Sequence, residues 1–232
     1  FTILLEAFFI FRPLVKKVEI SQKNLMRLAL EDTLTGLKNR RAFTKDFDAY
    51  EKVMQRTNEK FVLAICDLDK FKSVNDTYGH DVGDLVLKHF AMILKRTLRP
   101  TDVVARMGGE EFAILLANTN ELTAFKVLDR LRQIVEKNPC PLKGKNNPQK
   151  LKFTTSIGYS EGPLNGRKID IDEFMKLADK ALYMAKEQGR NRVINGKYVE
   201  TKSEAPTPPP APSTDIVLDK TVDINSPQDP VL

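Results

Sequence analysis

Two acidic clusters in this sequence could hold a divalent cation. The first, Asp67-Leu68-Asp69, directly follows six consecutive apolar residues at positions 61–66. Such a run predicts a strand that is buried on both faces, and a carboxylate at the end of such a strand points into a ligand-binding crevice. Two aspartates separated by one residue suit a hard cation such as Mg²⁺. The alternative is a capped turn before a loop.

The second cluster is Glu110-Glu111, which follows Gly108-Gly109. Adjacent carboxylates at a tight turn repel each other, so we expect a metal ion or an arginine nearby. Glycines lack side chains and let the phosphates of a ligand approach the backbone. The alternative is an ordinary hairpin whose acidic residues face solvent.

Together the clusters predict a palm-like site, with one acid at a strand end and another at a hairpin tip. These acids would hold Mg²⁺ over a triphosphate and stabilise charge on the attacking and leaving oxygens. The corresponding chemistry is nucleotidyl transfer, in which a 3′-hydroxyl attacks an α-phosphate and pyrophosphate leaves.

From residue 32 onward the chain alternates between helical and strand patterns, which must position these clusters. Apolar periodicity predicts helices at 41–56 and 81–98, one from Asn120 to about residue 137, and one from an Asp170/Glu173 capping box to Gly189. Strands are predicted at 61–66, 103–107, 112–117, 151–159 and 192–194, with a polar loop at 139–148. We therefore expect an α+β fold with a mostly antiparallel central sheet of about five strands, flanked by helices.

The segments outside this core differ in character. Residues 1–12 are mostly apolar but shorter than the roughly 20 residues that span a bilayer, and Arg12, Lys16 and Lys17 resemble a cytoplasmic flank. We interpret them as the end of a transmembrane helix; the alternative is an amphipathic or core helix. Residues 13–31 continue a heptad pattern that predicts a coiled-coil-like helical linker, or a single helix packed on its own domain. Residues 198–232 are rich in proline and are predicted to be disordered.

Charge and cysteine content bound the partners. The chain carries +6, and residues 201–232 hold two Lys against one Glu and four Asp, so residues 1–200 carry +9. A basic body suits nucleic acid, an anionic membrane or a nucleotide triphosphate, or is simply a solvated surface. No aromatic stacking platform or basic helix supports nucleic-acid binding. The two cysteines have no metal-type spacing and fit a reducing compartment.

Four sequence motifs resemble the GGDEF domain family of diguanylate cyclases. They are DTLTGLKNRR at 32–41, DLDKFKSVNDTYGHDVGD at 67–84, GGEEF at 108–112 and ADKALYMAKEQGRNR at 178–192. They follow the family's order across residues 32–197, and their combination is highly specific. The resemblance implies a nucleotidyl cyclase fold that condenses two GTP into cyclic di-GMP with Mg²⁺, or with Mn²⁺ in its place.

The resemblance also implies roles for individual residues. Mg²⁺ would be bound by Asp67, the Leu68 carbonyl, Glu110 and Glu111. Glu110, Glu111 and Lys72 would be catalytic, one glutamate being the base for the 3′-hydroxyl and Lys72 stabilising phosphate charge. The residues that would bind GTP are Phe71, Asn75, His80, Asp84, Gly108, Gly109, Lys186 and Arg190. Arg99 and Asp102 match the family's RxxD site, at which the product inhibits the enzyme.

The same resemblance implies a homodimer, since each domain holds one GTP and the product needs two. We expect the C-terminal, cytoplasmic part of a larger sensor attached to the bacterial inner membrane. Three other functions stay open: a catalytically silent GGDEF domain that binds cyclic di-GMP or GTP, a cyclase or polymerase for another base, and a nucleic-acid-binding protein. The retained acids and the Asn75/Asp84 pair argue against the first two.

Overall fold

The computed structural model describes residues 2–57, 59–142, 149–162 and 171–197. The helices are α1 (Thr2–Leu30), α2 (Arg40–Thr57), α3 (Phe71–Tyr78), α4 (His80–Thr97), α5 (Glu121–Lys137) and α6 (Ile171–Glu187). The strands are β1 (Lys38–Asn39), β2 (Phe61–Leu68), β3 (Val103–Gly108), β4 (Glu111–Leu116), β5 (Cys140–Leu142), β6 (Gln149–Leu151), β7 (Thr155–Gly162) and β8 (Val193–Asn195).

The main sheet has six strands in the order β1-β3-β4-β2-β7-β8. The three inner pairs are antiparallel, and the two edge pairs, β1 with β3 and β7 with β8, are parallel. The predicted α+β architecture is confirmed. The sheet has one strand more than the expected five because the two-residue β1 joins its edge, and so short a strand leaves no readable alternation in a sequence.

Strand β2 lies at the centre of the sheet and is buried on both faces. Val62, Ala64 and Cys66 pack under α4 and α5, whereas Leu63 and Ile65 pack under α2 and α6. Because successive side chains alternate between faces, Asp67 falls on the face covered by α6. The Asp67 carboxylate therefore lies next to the C-terminal end of α6.

A glycine lets α6 lie unusually close to the sheet. A Cβ atom at Gly158 of β7 would lie 2.1 Å from the Ala178 carbonyl oxygen and 2.2 Å from the Leu182 nitrogen. No side chain fits between these backbones, so only glycine permits this approach. This close contact sets the distance between α6 and the sheet, and so the position of the end of α6 relative to the strand ends.

Besides the unpredicted β1, the predicted helices and strands differ from the structure mainly in three places. The predicted loop at 139–148 begins with β5, which pairs with β6 in a separate two-stranded sheet. Strand β7 starts at Thr155 rather than at Leu151, which belongs to β6. Helix α3 was not predicted. Asp170 of the proposed capping box, residues 143–148 and residues 198–232 lie outside the described residues.

Helix α1 covers the predicted linker and continues through residues 13–30 without a break. Its heptad positions Phe11, Val18, Leu25 and Leu28 are 62%, 49%, 64% and 61% exposed. Within the described part of the chain, none of the helices has an apolar stretch long enough to cross a bilayer. The apolar heptad positions are therefore exposed to solvent along the linker portion of α1.

Candidate active site

Asp67 and the signature acids meet at one edge of the sheet. Asp67, the second-to-last residue of β2, is the direct cross-strand partner of Glu111, the first residue of β4. Directly opposite residues of an antiparallel pair have Cβ atoms about 4.5–5.5 Å apart and share a face of the sheet. Glu110 precedes Glu111 at the tip of the β3–β4 hairpin. The two segments singled out in the sequence therefore converge.

The hairpin tip is shaped by Gly108 and Gly109. Gly109 has a φ of +49°, in the left-handed region, and the β3–β4 register shifts between Arg106 and Gly108. Left-handed backbone favours glycine. An added Cβ at either glycine would meet nothing within 4 Å. The space above the turn is thus open to a ligand.

Asp67 is 4% exposed, and its surroundings are unfavourable for a carboxylate. Burial raises the pKa of Asp67, and the nearby charges of Glu111 and Asp69 raise it further, although Lys186 opposes both effects. Burial also raises the pKa of Glu110, and so does the negative charge of Asp67. The charge of Asp67 thus reaches Glu110, which directly precedes the strand partner of Asp67.

Lys186 is the cation that faces these acids. Its Nζ lies 2.8 Å from Oδ2 of Asp67. The sequence resemblance implies that Lys186 binds the triphosphate; in this structure its side chain pairs with Asp67, the predicted metal ligand. Its position at the end of α6 follows from the close packing of α6 on β7.

The fit of a divalent cation rests on this charge balance. Asp67, Glu110 and Glu111 carry three negative charges, and one lysine offsets only part of them. Oxygen donors with excess negative charge suit Mg²⁺. Across the described residues, no group of three His, Cys, Asp or Glu side chains forms a ready metal site. Two carboxylates are sufficient for the ion, because Mg²⁺ commonly keeps several waters and takes one or two carboxylates.

The predicted guanine-binding residues flank a tight junction between α3 and α4. Gly79, with a φ of +84°, separates the two helices, and its N–H donates to the Asn75 carbonyl. A Cβ at Gly83 would lie 1.9 Å from Oδ1 of Asn75, so Gly83 leaves room for this amide. Asp84 is the next residue and is exposed, as is His80 at the start of α4. Asn75 and Asp84 therefore lie at the same junction of α3 and α4.

The N-terminus of α3 offers backbone donors for phosphate. Lys70 precedes it in a left-handed conformation with a φ of 56°, and its side chain makes no capping hydrogen bond. The first N–H groups of a helix lack intrahelical partners and attract anions. The side chain of Phe71 is 6% exposed and belongs to the core. Any substrate contact of Phe71 therefore comes from its backbone, while Lys72 remains exposed beside it.

Arg190 lies across a cleft from this helix end. The cleft has a volume of about 510 Å³ and is also lined by Lys70, Ser73, Tyr78 and Asn191. Arg190 has a φ of 65°, in the chain reversal that follows α6. This arrangement puts a guanidinium and the α3 N-terminus on one cavity.

Asp69 serves a different purpose from Asp67. Its carboxylate accepts hydrogen bonds from Thr154 Oγ1 (2.6 Å), Ser156 Oγ (2.6 Å) and the Asn191 N–H (3.0 Å). These bonds fasten the end of β2 to β7 and to the segment after α6. Both oxygens of Asp69 thus anchor neighbouring segments, whereas the Asp67 carboxylate pairs with Lys186.

Two residues near the acids were missed in the sequence, although both lie within motifs that it contains. Asp179 of α6 and Arg40 of α2 line a cavity of about 250 Å³ together with Glu111. Burial and the charge of Glu111 raise the pKa of Asp179, while Arg40 opposes the rise. The acidic group therefore extends to a fourth carboxylate.

Arg99 and Asp102 lie on a separate surface, at the start of β3. Oδ2 of Asp102 accepts a hydrogen bond from the Arg99 N–H at 2.9 Å, and this bond closes a turn between the two residues. Both residues line a cavity of about 90 Å³ with Arg130 of α5. Arg130 was not predicted, because it lies 28 residues after Asp102 in the chain and only the fold brings α5 to this cavity.

Comparison with known proteins places this chain in a family. Residues 29–192 match the family described as "Diguanylate cyclase, GGDEF domain". The chain therefore belongs to the GGDEF domain family, in agreement with the motifs in its sequence.

Several relatives and solved structures are similar to it. It is 40% identical over 171 residues to the "Probable diguanylate cyclase DgcT" of Escherichia coli, covering 72% of this chain and 36% of that protein. It is 37% identical over 170 residues to the "Response regulator PleD" of Caulobacter vibrioides, covering 73% and 36%. The chain spans less than half the length of these relatives.

The structure of the coiled coil and GGDEF domain of DgcB from Caulobacter crescentus, in complex with c-di-GMP, superposes with a TM-score of 0.72. The two sequences are 31% identical, and the match covers 82% of this chain and 98% of that one. That structure includes a coiled coil as well as the GGDEF domain, and in this chain the helix α1 precedes the matching domain.

Proposed function

We propose that this chain is a diguanylate cyclase, which condenses two GTP into cyclic di-GMP and two pyrophosphates. The observation that carries the proposal is the pairing of Asp67 with Glu111 across neighbouring strands, with Glu110 close enough for the Asp67 charge to raise its pKa. Acids from two distant segments meet beside a glycine turn.

Asp67, Glu110 and the Leu68 carbonyl would hold Mg²⁺, or Mn²⁺ in its place. The bound ion would offset negative charge on the phosphates and on the oxygens that attack and leave. Glu111 is exposed and borders the same edge, so it can accept the proton of the 3′-hydroxyl or complete the ligand set. Exchange of Lys186 from Asp67 to the triphosphate would leave the carboxylate free for the ion.

GTP would lie between α3 and α4, with its phosphates toward the start of α3. An amide supplies a donor and an acceptor and a carboxylate accepts two N–H groups, so Asn75 and Asp84 suit the edge of guanine. His80 would border the base. The backbone N–H groups of Phe71 and Lys72, with Arg190, would hold the phosphates, and Gly108 and Gly109 would leave room for them.

The active species would be a homodimer, since each domain offers one GTP site. Two sites facing each other across a two-fold axis would bring each 3′-hydroxyl to the other α-phosphate. The exposed apolar seam of α1 would pair two copies. We expect a chain lacking residues 1–31 to lose rate per monomer on dilution faster than the full chain. Equal loss in both would contradict a role for α1 in pairing.

Product inhibition would act through Arg99, Asp102 and Arg130. A guanidinium can pair with phosphate and stack on guanine, and these residues share one surface cavity away from the acids. In the cell we propose a cytoplasmic location, with attachment to the inner membrane through the region that precedes the linker.

The direct test is incubation of the full chain with GTP and Mg²⁺, followed by identification of the product by mass spectrometry. We expect cyclic di-GMP and pyrophosphate from the wild type and neither from Glu110→Ala. A competition of ATP against GTP tests the base preference. Binding of GTP or cyclic di-GMP without release of pyrophosphate would instead favour a silent receptor.

A further inference from the structure

Arg106 forms a bridge between the signature turn and the segment that follows α1. Its Nε and Nη2 donate to the Gly109 carbonyl oxygen at 2.9 and 2.7 Å. Its Nη1 donates to both carboxylate oxygens of Asp32 at 3.1 and 3.2 Å. The Arg106 side chain is 14% exposed. One largely buried guanidinium thus holds two distant segments.

Asp32 is itself fixed in place. Its Oδ1 accepts from the Thr35 N–H at 2.9 Å and from Thr35 Oγ1 at 2.6 Å, and its own N–H donates to the Leu37 carbonyl at 2.8 Å. Hydrogen bonds with Thr35 and Arg106 lower the pKa of Asp32, although burial opposes them. The carboxylate is therefore charged and held rigidly at neutral pH.

The end of α1 is attached to the same structure. The Glu31 N–H donates to the Arg27 carbonyl at 2.8 Å, so the helical path continues to the residue before Asp32. Nδ2 of Asn39 donates to the Ala29 carbonyl at 3.0 Å, and Asn39 is the strand partner of Arg106. A shift at the end of α1 therefore acts on both the carboxylate and the strand that hold this arginine.

We infer that Arg106 is a positioning residue that couples the end of α1 to the placement of Glu110. The coupling runs from Asp32 through the guanidinium to the Gly109 carbonyl, which belongs to the peptide bond that joins Gly109 to Glu110. The inference rests on the proposed function and adds a route by which the helical linker regulates the site. A displacement of about 1 Å at a reacting group can cost about 100-fold in rate, so a small movement of α1 is sufficient.

The planar guanidinium is essential to this role. Its fork donates to Gly109 on one edge and to Asp32 on the other, a geometry that a lysine ammonium does not reproduce. Arg106→Lys keeps the charge and loses the fork. Asp32→Asn keeps an acceptor for Thr35 and loses the ionic contact with Arg106. The matched control is Asp46→Asn, which removes the ion pair of Lys38 and Asp46 near the same strand without touching the turn.

The test uses the full chain and three readouts: amide hydrogen exchange of the peptide covering residues 106–112 without nucleotide, kcat and KM for GTP, and the melting temperature. Arg106→Lys and Asp32→Asn should each speed exchange in the turn and lower kcat by about 10- to 100-fold. KM for GTP should stay within about twofold, because the proposed guanine-binding residues Asn75 and Asp84 are not touched. The double variant should be no worse than the more affected single variant, and Asp46→Asn should match the wild type.

Unchanged exchange in both single variants, a change in KM alone, or additive losses in the double variant would overturn the inference. A fall in melting temperature with unchanged kcat would also overturn it and leave a purely structural ion pair. If the wild type formed no product, the proposed function would fail, while the exchange measurement would still decide whether Arg106 holds the turn.

Discussion

Glu161 and Asp67 lie at opposite ends of the paired strands β7 and β2, and their side chains are 8% and 6% exposed. Glu161 accepts hydrogen bonds from the Glu121 N–H at 2.9 Å and from Lys60 and Lys197, each at 3.2 Å. Burial alone would raise the pKa of Glu161, but these donors outweigh it and lower the pKa.

Asp67 shows the opposite balance. Burial raises its pKa, Glu111 and Asp69 reinforce the rise, and Lys186 offsets only part of it. A carboxylate whose pKa is lowered by folding stabilises the fold when it is ionised. A carboxylate whose pKa is raised by folding destabilises the fold when it is ionised. At one end of the sheet the buried carboxylate is therefore stabilised by its hydrogen-bond donors. At the other end negative charge remains uncompensated, and a cation can bind there.

The largest expected effect compares the same chemical change at the two ends. Asp67→Asn should lower the rate of cyclic di-GMP formation by more than about 100-fold, because loss of a direct metal ligand exceeds the 10- to 100-fold cost of losing an outer partner. Glu161→Gln should keep kcat within about threefold under conditions where it is folded. Steady-state assays with GTP and Mg²⁺ measure both, and similar losses in the two variants would break the comparison.

The second prediction concerns stability, and here the substitution at Glu161 should have the larger effect. Glu161→Gln should lower the free energy of unfolding by about 1–2 kcal/mol, since charge-assisted hydrogen bonds are lost and its lysine partners are partly exposed. Asp67→Asn should not lower it in metal-free buffer, because it removes a repelled charge. Urea denaturation without divalent cations tests this, and a larger loss in Asp67→Asn would contradict the assigned charge balance.

A neutral substitution can separate nucleotide binding from metal binding at the functional end. Gly83→Ala would place a Cβ 1.9 Å from Oδ1 of Asn75 and displace this amide. We expect KM for GTP to rise by up to about tenfold, as for the loss of one or two hydrogen bonds, with an unchanged melting temperature. An unchanged KM would show that Asn75 does not read the base.

The smallest effect is the pH dependence of the Glu161 contribution. Because the folded-state pKa of Glu161 is lowered, its stabilisation is present above the unfolded-state pKa and disappears as pH falls through the folded-state pKa. The difference in unfolding free energy between wild type and Glu161→Gln should be full at pH 7 and shrink in acid. Denaturation at several pH values measures it, and a difference that grows in acid would contradict the lowered pKa.

Much of this molecule could be predicted from local sequence. The apolar run before Asp67 and the two glycines between two apolar segments predicted the strand and the hairpin. Asn120 caps α5 as expected, with its side chain accepting from the Thr123 N–H at 2.9 Å. These features depend on residues that are neighbours in the chain.

The rest depends on contacts between distant segments. Asp69 and Asp67 look alike in sequence, and only the positions of Thr154 and Ser156 make one of them a structural anchor. Glu161 gave no signal, because its partner lysines lie 101 and 36 residues away. Helix α3 is short and has no side-chain cap, so tertiary packing of Phe71 rather than local pattern defines it.

The most direct test of the account is a measurement of divalent-cation binding at the two ends of the sheet. Mn²⁺ binding in the presence of a non-hydrolysable GTP analogue can be followed by electron paramagnetic resonance for wild type, Asp67→Asn and Glu161→Gln. We expect Asp67→Asn to weaken Mn²⁺ binding by more than about tenfold and Glu161→Gln to bind like the wild type. Wild-type affinity in Asp67→Asn would contradict the account.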